Sequence, residues 1–296
     1  MDILFGKIRV YAMAGTQFTI ISSSGATMTG TVPVGASFVD KIVAGLDEYT
    51  VSNGISNIPV TVNYGEMVKV QLYSSLDEVS WADIQSLILD GKFADYFNVG
   101  ATKEFTVGGK TYTAEVVSIN NGTGEAGQWY PEKTVDFITK ELYETTYRYN
   151  ATNTNTGGFP SSEVKTTLNS TIYPLLPSDL KSVITAKSHS YQAGSYSSSS
   201  WSSSMVTSSD NLWLPTYYEI AGGGGQYVAG ESVSNNKPYT LASKIKNIVG
   251  GSAISWWLGS PYSDYSDNFW LVSSSGGFGT NYASSTRGLP LCFRIG

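Results

Sequence analysis

The chain runs to 296 residues, 41% hydrophobic and 13% aromatic, enough apolar material for one large core or two ordinary ones. Only 14% of it is charged, and a formal net charge of -6 without any clustered Lys/Arg stripe argues against nucleic acid as a partner. A single Cys (Cys292) and a single His (His189) leave no material for a disulfide framework, a thiolate or imidazole metal centre, or a Cys-His nucleophile, so neither a metal nor another cofactor is expected. Gly, Ser, Thr, Tyr and Asn fill the polar positions instead, a surface that is polar without being ionic and that suits β-rich extracellular or virion proteins better than cytosolic enzymes. The opening MDILFGKIRVYAMAG lacks a basic stretch followed by a sustained apolar one, and no run approaches the roughly 18 apolar residues of a membrane helix. Neither a cleavable export signal nor membrane insertion is expected.

From Gly6 to about Ser74 short alternating segments (Lys7 to Tyr11, Gln17 to Ile21, Thr27 to Val32, Glu48 to Val51, Ile58 to Val62, Met67 to Leu72) are separated by Gly, Ser, Asn and Pro. Alternation broken by turn residues at this spacing predicts a small antiparallel sandwich. The succession TGTVPVG, GLDEYTVS, PVTVNYGEMVKVQL resembles the immunoglobulin-like repeat modules of surface and phage appendage proteins, which implies an immunoglobulin-like β-sandwich domain over residues 1–75.

After Ser75 the pattern changes. Ser80-Trp-Ala-Asp83 has the form of a capping box, with Ile84, Leu87 and Ile88 at helical spacing and Gly91 as a stop, so a short helix is expected to open a second domain, 76–296. Gly108-Gly109 between alternating segments predicts a type I′ hairpin over Phe105 to Val116. Helices are expected from Ser161/Ser162 through Ile172, from Ser178 to Ala186 and from Leu241 to Val249, and a helical-looking segment carries Asp136, Glu141 and Glu144 on a solvated face. The Ser-rich stretch Ser188 to Ser209 reads as a long loop, and Gly222 to Gly225 as a flexible turn lacking the Lys-Ser/Thr of a phosphate loop. Helices giving way to aromatic-rich strands make the second domain α+β.

Residues 262 to 288, YSDYSDNFWLVSSSGGFGTNYASSTRG, mix Tyr, Ser, Gly, Asp and Asn between the apolar brackets Trp256-Trp257-Leu258 and Leu289 to Ile295. A chain that re-enters a core on both sides of such a run has built a surface, not a tail. Tyr offers a rigid amphipathic face at the cost of two χ angles, while Ser, Gly and Asn supply adaptable hydrogen bonding, the combination that antibody paratopes use.

Four stretches, FADYFNVGATKEFTVGGKTYTAEVVSIN (93–120), YNATNTNTGGFPSSEVKTTLNSTIYPLLPSDLKSVI (149–184), LWLPTYYEI (212–220) and WWLGSPYSDYSDNFWLVSSSGGFGTNYASSTRGLPLCFRI (256–295), together resemble the lectin-like domain of many gut bacterial and phage proteins. That domain is a C-type lectin-like fold related to the formylglycine-generating enzymes. In such proteins the C-terminal stretch, here about 256–296, is often the variable region of a diversity-generating retroelement, which rewrites adenines in Asn-type codons. Changing the first two bases of those codons yields Tyr, Asp, Ser, Gly, Thr, Ala, Arg or Leu but never Lys, Glu, Gln, Met or Trp. Between Tyr262 and Gly288 the first four are absent, and the single Trp, Trp270, sits in the Asn-Phe-Trp frame that such proteins keep. The resemblance implies a scaffold of Trp256, Trp257, Phe269 and Trp270, with Ser260, Pro261, Asn268, Val272, Phe278 and Ala283. It implies a ligand-contacting role for Tyr262, Asp264, Tyr265, Asp267, Leu271, Ser273, Ser275, Thr280, Tyr282, Ser284, Ser285 and Arg287.

Two departures limit what carries over. With only Cys292, the paired cysteines of the formylglycine-generating enzymes are missing, and the Glu-Pro-Asn or Gln-Pro-Asp and Trp-Asn-Asp triplets of calcium-dependent sugar binding do not occur. The resemblance therefore implies a binding protein and not an enzyme: a phage tail receptor-binding protein, located on the virion, that recognises a host-cell surface protein or glycan. A bacterial surface adhesin of the same architecture is the alternative, and a glycan-acting enzyme a more distant one. Display at a virion tip would favour a homo-oligomer such as a trimer.

Overall fold

The computed structural model describes residues 5–121, 133–194, 205–223, 231 and 237–296. Strands dominate and helices are short. The chain forms two compact units, Met1–Ala101 and Thr102–Gly296.

The first unit holds β1 (Phe5–Tyr11), β2 (Gln17–Ser22), β3 (Thr27–Thr31), β4 (Phe38–Ala44), β5 (Asp47–Ser52), β6 (Asn57–Val62) and β7 (Met67–Gln71). They make two sheets, ordered β4-β1-β7 and β3-β2-β5-β6. Alternation puts Ile8 and Val10 of β1 inward, against Phe18, Ile20, Val51 and Val62, in one shared core. The sandwich is not wholly antiparallel: β1 pairs antiparallel with β4 but parallel with β7. Helix α1 (Trp81–Leu89) starts where the sequence places it, with the Ser80 hydroxyl accepting from the Asp83 amide, and Gly91 follows it at φ 74°. Helix α2 (Phe93–Tyr96) lays Tyr96 against the sandwich core. Residues 76–101 thus belong to the first unit, with Tyr96 packed on the sandwich core, and the expected boundary at 75/76 moves to 101/102.

In the second unit β8 (Thr102–Val107) and β9 (Lys110–Asn121) form the hairpin expected at Gly108-Gly109, whose φ values of 57° and 82° suit a type I′ turn. With β10 (Lys133–Thr139) and the C-terminal β18 (Cys292–Ile295) they make a sheet ordered β18-β10-β9-β8. The chain between adds β11 (Tyr147–Arg148), helix α3 (Glu163–Thr166) continuing as a π-helical turn through Ile172, α4 (Ser178–Lys181), the β12 (Lys187–Gln192) and β13 (Met205–Asp210) hairpin, and α5 (Tyr217–Ala221). The strands β14 (Trp256–Pro261), β15 (Asn268–Val272) and β16 (Phe278–Tyr282) form a second sheet, and β17 (Thr286–Arg287) pairs with β11. Among the described residues no helix is long and apolar enough to cross a membrane.

Several local expectations are corrected. The helix from Ser178 stops at Lys181, and Leu241 to Val249 is not a helix: Leu142 bridges to Ile248 and Asn247 to Ala253, while buried Lys246 donates through Nζ to the Thr139 carbonyl. That tertiary contact overrides the helical spacing of the apolar residues. The Ser-rich stretch contains the β12/β13 hairpin, with 195–204 outside the described residues. Gly222 caps α5 at φ 71°, and Gly224 and Gly225 lie outside the described residues. Asp136 lies on β10 and points inward, not along a solvated helix.

There it joins a buried ionic network. Lys187 donates to Asp136 Oδ2 at 2.9 Å, Glu219 Oε1 at 2.6 Å and Tyr239 Oη at 2.9 Å. Arg294 grips Asp136 through Nε and Nη2 at 2.6 and 3.0 Å, and His189 Nε2 lies 3.2 Å from Glu219 Oε1. Burial lowers the His189 pKa, so the ring is neutral and two cations balance two carboxylates. A charge-balanced, hydrogen-bonded set is the condition under which such groups tolerate a dry interior.

Candidate functional site

The β14-β15-β16 sheet has a closed and an open face. Trp257 of β14 and Phe269 of β15 are fully buried on the closed face, with Tyr149 stacked on Phe269 and edge-on to Trp257, while Trp256, opposite Val272, is buried on the other side. Opposed residues of an antiparallel pair share a face. Asn268 pairs with Tyr282, Trp270 with Thr280 and Val272 with Phe278, so these residues lie together on the other side.

An aromatic cluster forms on that side. The Tyr217 ring, at the first position of α5, sits 4.3 Å from Trp270 and 4.7 Å from Phe278 between centroids. Tyr262 meets Trp270 edge-on at 5.0 Å and stacks with Tyr265 at 5.7 Å, and the Lys244 ammonium lies 4.7 Å from the Phe278 ring. Such tilted and edge-on pairs are the preferred geometry for aromatic rings and fix their orientation. Tyr265 and Tyr282 remain 57% and 53% exposed. Asp264 accepts from the Tyr262 hydroxyl at 2.6 Å, which orients that phenol.

The platform has a rigid footing. Thr216 and Glu219 form a reciprocal capping box at the start of α5, and the Tyr217 amide donates to Ser260 Oγ at 2.7 Å. Ser260 in turn donates to Glu231 Oε2 at 2.8 Å; burial pushes that carboxyl up to about 8, making it a neutral acid at neutral pH. Burial likewise raises the Tyr217 phenol. Among the described residues no group of three or more His, Cys, Asp or Glu is placed to hold a metal ion.

Of the residues expected to contact ligand, Tyr262, Asp264, Tyr265, Thr280 and Tyr282 gather on this face and the loop above it. Asp267 holds the loop's end, its carbonyl accepting from the Ala283 amide. Ser273 and Ser275 bond to each other in the β15–β16 turn. Ser284 bonds to Asn153, and Ser285 to Asn281. Arg287 is placed elsewhere, on β17, with its guanidinium 5.9 Å from the Trp257 ring. Leu271 is corrected: it alternates with Asn268 and Trp270 onto the closed face and is only 6% exposed. Trp270, expected within the scaffold, is half-buried in the open cluster. Sequence reasoning missed Tyr217, although the Thr-x-x-Glu spacing of Thr216 and Glu219 was a legible signal for a helix start beside it.

Residues 133–296, more than half of the chain, match the family described as Domain of unknown function (DUF6273). The chain belongs to this family. The DUF6273 region contains the whole aromatic face but begins at β10, leaving β8 and β9 of the same sheet outside it. Neither a curated protein nor a solved structure matches the chain.

Proposed function

We propose that this protein binds a ligand through the aromatic face of the β14-β15-β16 sheet, and that the face is a diversified display surface on a C-type lectin-like scaffold. The observation that carries the reading is the pairing of two chemistries: rings fixed by packing beneath, and half-exposed Tyr265 and Tyr282 among Ser, Thr and Asp above. Rigid amphipathic anchors in an adaptable polar surround are what recognition of a protein or glycan requires. Binding rather than catalysis is the reading this arrangement favours. A seven-stranded two-sheet sandwich supports taking the first unit as an immunoglobulin-like mount. With the C-terminal composition, it supports a phage tail receptor-binding protein, in which repeated copies would turn weak single contacts into avidity.

The test uses the fluorescently labelled full chain against a panel of intact bacterial cells. The wild type is expected to be retained by at least one strain, and Y262A/Y265A/Y282A to lose at least about tenfold of that retention. The triple variant should melt within about 5 °C of the wild type, since Tyr265 and Tyr282 are exposed and Tyr262 is only half-buried at the edge of the cluster. Retention that survives the substitutions, or a collapse of the melting transition, contradicts the reading.

A further inference from the structure

Residues 262–268 leave β14, turn outward at Tyr265 and return as β15, carrying four of the proposed contact side chains. Beneath them lies Asn155, 0% exposed and far away in sequence. Its Nδ2 is 2.6 Å from the Tyr265 carbonyl oxygen, 3.0 Å from that of Asn268 and 3.2 Å from that of Tyr262. Its backbone amide donates to the Ser266 carbonyl at 2.8 Å. Three carbonyls share the two hydrogens of one amide group, and the flipped amide would set Oδ1 against three oxygens, so the network fixes the orientation.

Every acceptor in this set is a main-chain oxygen, which any residue type supplies. Asn155 is itself held: its carbonyl accepts from the Gly158 amide at 3.0 Å, and the chain at Gly194 passes so close that an added Cβ would lie 1.9 Å from that oxygen. Gly194 also sits at φ +69°, so glycine is required there twice over. The same manner of attachment continues downstream, where the Tyr149 and Asn150 amides both donate to the Ala283 carbonyl, at 2.8 and 3.0 Å. The loop is also held by two main-chain bonds of its own, from the Tyr262 amide to the Asn268 carbonyl at 2.9 Å and from the Tyr265 amide to the Tyr262 carbonyl at 3.4 Å, and by the Tyr262–Asp264 bond and the Tyr262–Tyr265 stack. The side-chain contacts sit at the half-open surface and the two main-chain bonds close the loop only on itself, whereas Asn155 is the buried donor that ties three of its carbonyls to the scaffold beneath.

We propose that Asn155 is the positioning residue of the display loop, setting the path of residues 262–268 through main-chain oxygens alone so that the side chains at 262, 264, 265 and 267 exchange without reshaping it. It acts through the loop and needs no contact with the ligand. The inference rests on reading this surface as the binding face.

Hydrogen exchange by mass spectrometry on the full chain tests it. In Asn155→Ala, and in the isosteric Asn155→Asp that keeps the volume but loses the donors, amides of 262–268 should exchange at least about tenfold faster while those of β9 and β10 keep their rates. The variant Y262A/D264A/Y265A/D267A should keep wild-type exchange across the loop. Wild-type protection of the loop in both Asn155 variants, or loss of it in the fourfold variant, overturns the proposal. So does global loss of protection in Asn155→Ala, which would make Asn155 a core residue and not a local one. Cell retention separates the two claims: a fourfold variant with intact exchange and undiminished retention leaves the positioning role standing and removes the binding face.

Discussion

Lys187→Met should lower the melting temperature of the second unit by about 10 °C, the counterpart of a loss of about 3–5 kcal/mol on removing one partner of a buried ionic set. Lys187 is wholly inaccessible and is the cation that Asp136, Glu219 and Tyr239 share. Without it Glu219 keeps only the neutral His189 ring and its helix-capping bonds, whereas Asp136 keeps the two-pronged Arg294. The double variant K187M/E219Q should therefore recover part of the loss, because it removes the carboxylate left without a cation. The pH profile carries the same signature. Burial alone would raise the Glu219 carboxyl, but Lys187 and then His189 outweigh it and hold the group at about 2, below the ordinary 4.5. A depressed folded-state pKa gives stability that is full above about pH 4.5 and is lost as pH falls towards 2. The Glu219 contribution should thus be constant between about pH 7 and 5 and be lost below. Buried Glu231 and His189 act with opposite signs in the upper window in both proteins, so the gap in melting temperature between wild type and K187M should narrow as pH falls below about 4.5. Calorimetric melts within about 2 °C of each other at pH 7 would show that the network contributes little.

Trp257→Ala should cost about 3–5 kcal/mol, the usual loss for a large aromatic deleted from a core. The ring is fully buried, meets Tyr149 edge-on at 5.4 Å between centroids and donates through Nε1 to the Tyr147 carbonyl at 3.0 Å. Deletion leaves a cavity and a stranded carbonyl beneath the sheet. Tyr265→Ala, on the same sheet's outer loop, should change stability by no more than about 0.5 kcal/mol. Urea unfolding reads both directly, as a large shift in midpoint for the first and almost none for the second. Equal shifts would mean that the sheet has no distinction between footing and display.

How far the sequence announces this architecture depends on the range over which each feature is decided. The alternation from Lys7 to Leu72, the Ser80 cap and the Gly108-Gly109 turn are set by neighbours in the chain, and all are present. The outward placement of Tyr265 and Tyr282 was legible because a Tyr-Ser-Gly-Asp run bracketed by apolar segments has few other uses. Leu271 was misplaced because a motif frame ignores strand alternation, which sends Phe269 and Leu271 to the same closed face. The Leu241 to Val249 spacing suits a helix, yet the burial of Lys246 against Thr139 is a contact no local pattern reports. The ionic network was invisible for the same reason, since it joins strands β10, β12 and β18 with helix α5, and Asn155 meets its loop across more than a hundred residues.

The most direct measurement is a library of the full chain randomised at 262, 264, 265, 267, 280 and 282, displayed on cells and selected for resistance to protease. If the face is a display surface on an independent scaffold, a large share of members should survive like the parent, whereas a matched library randomised at 256, 257 and 269 should be almost emptied. Survival of only a few members of the first library, comparable with the second, would contradict the account.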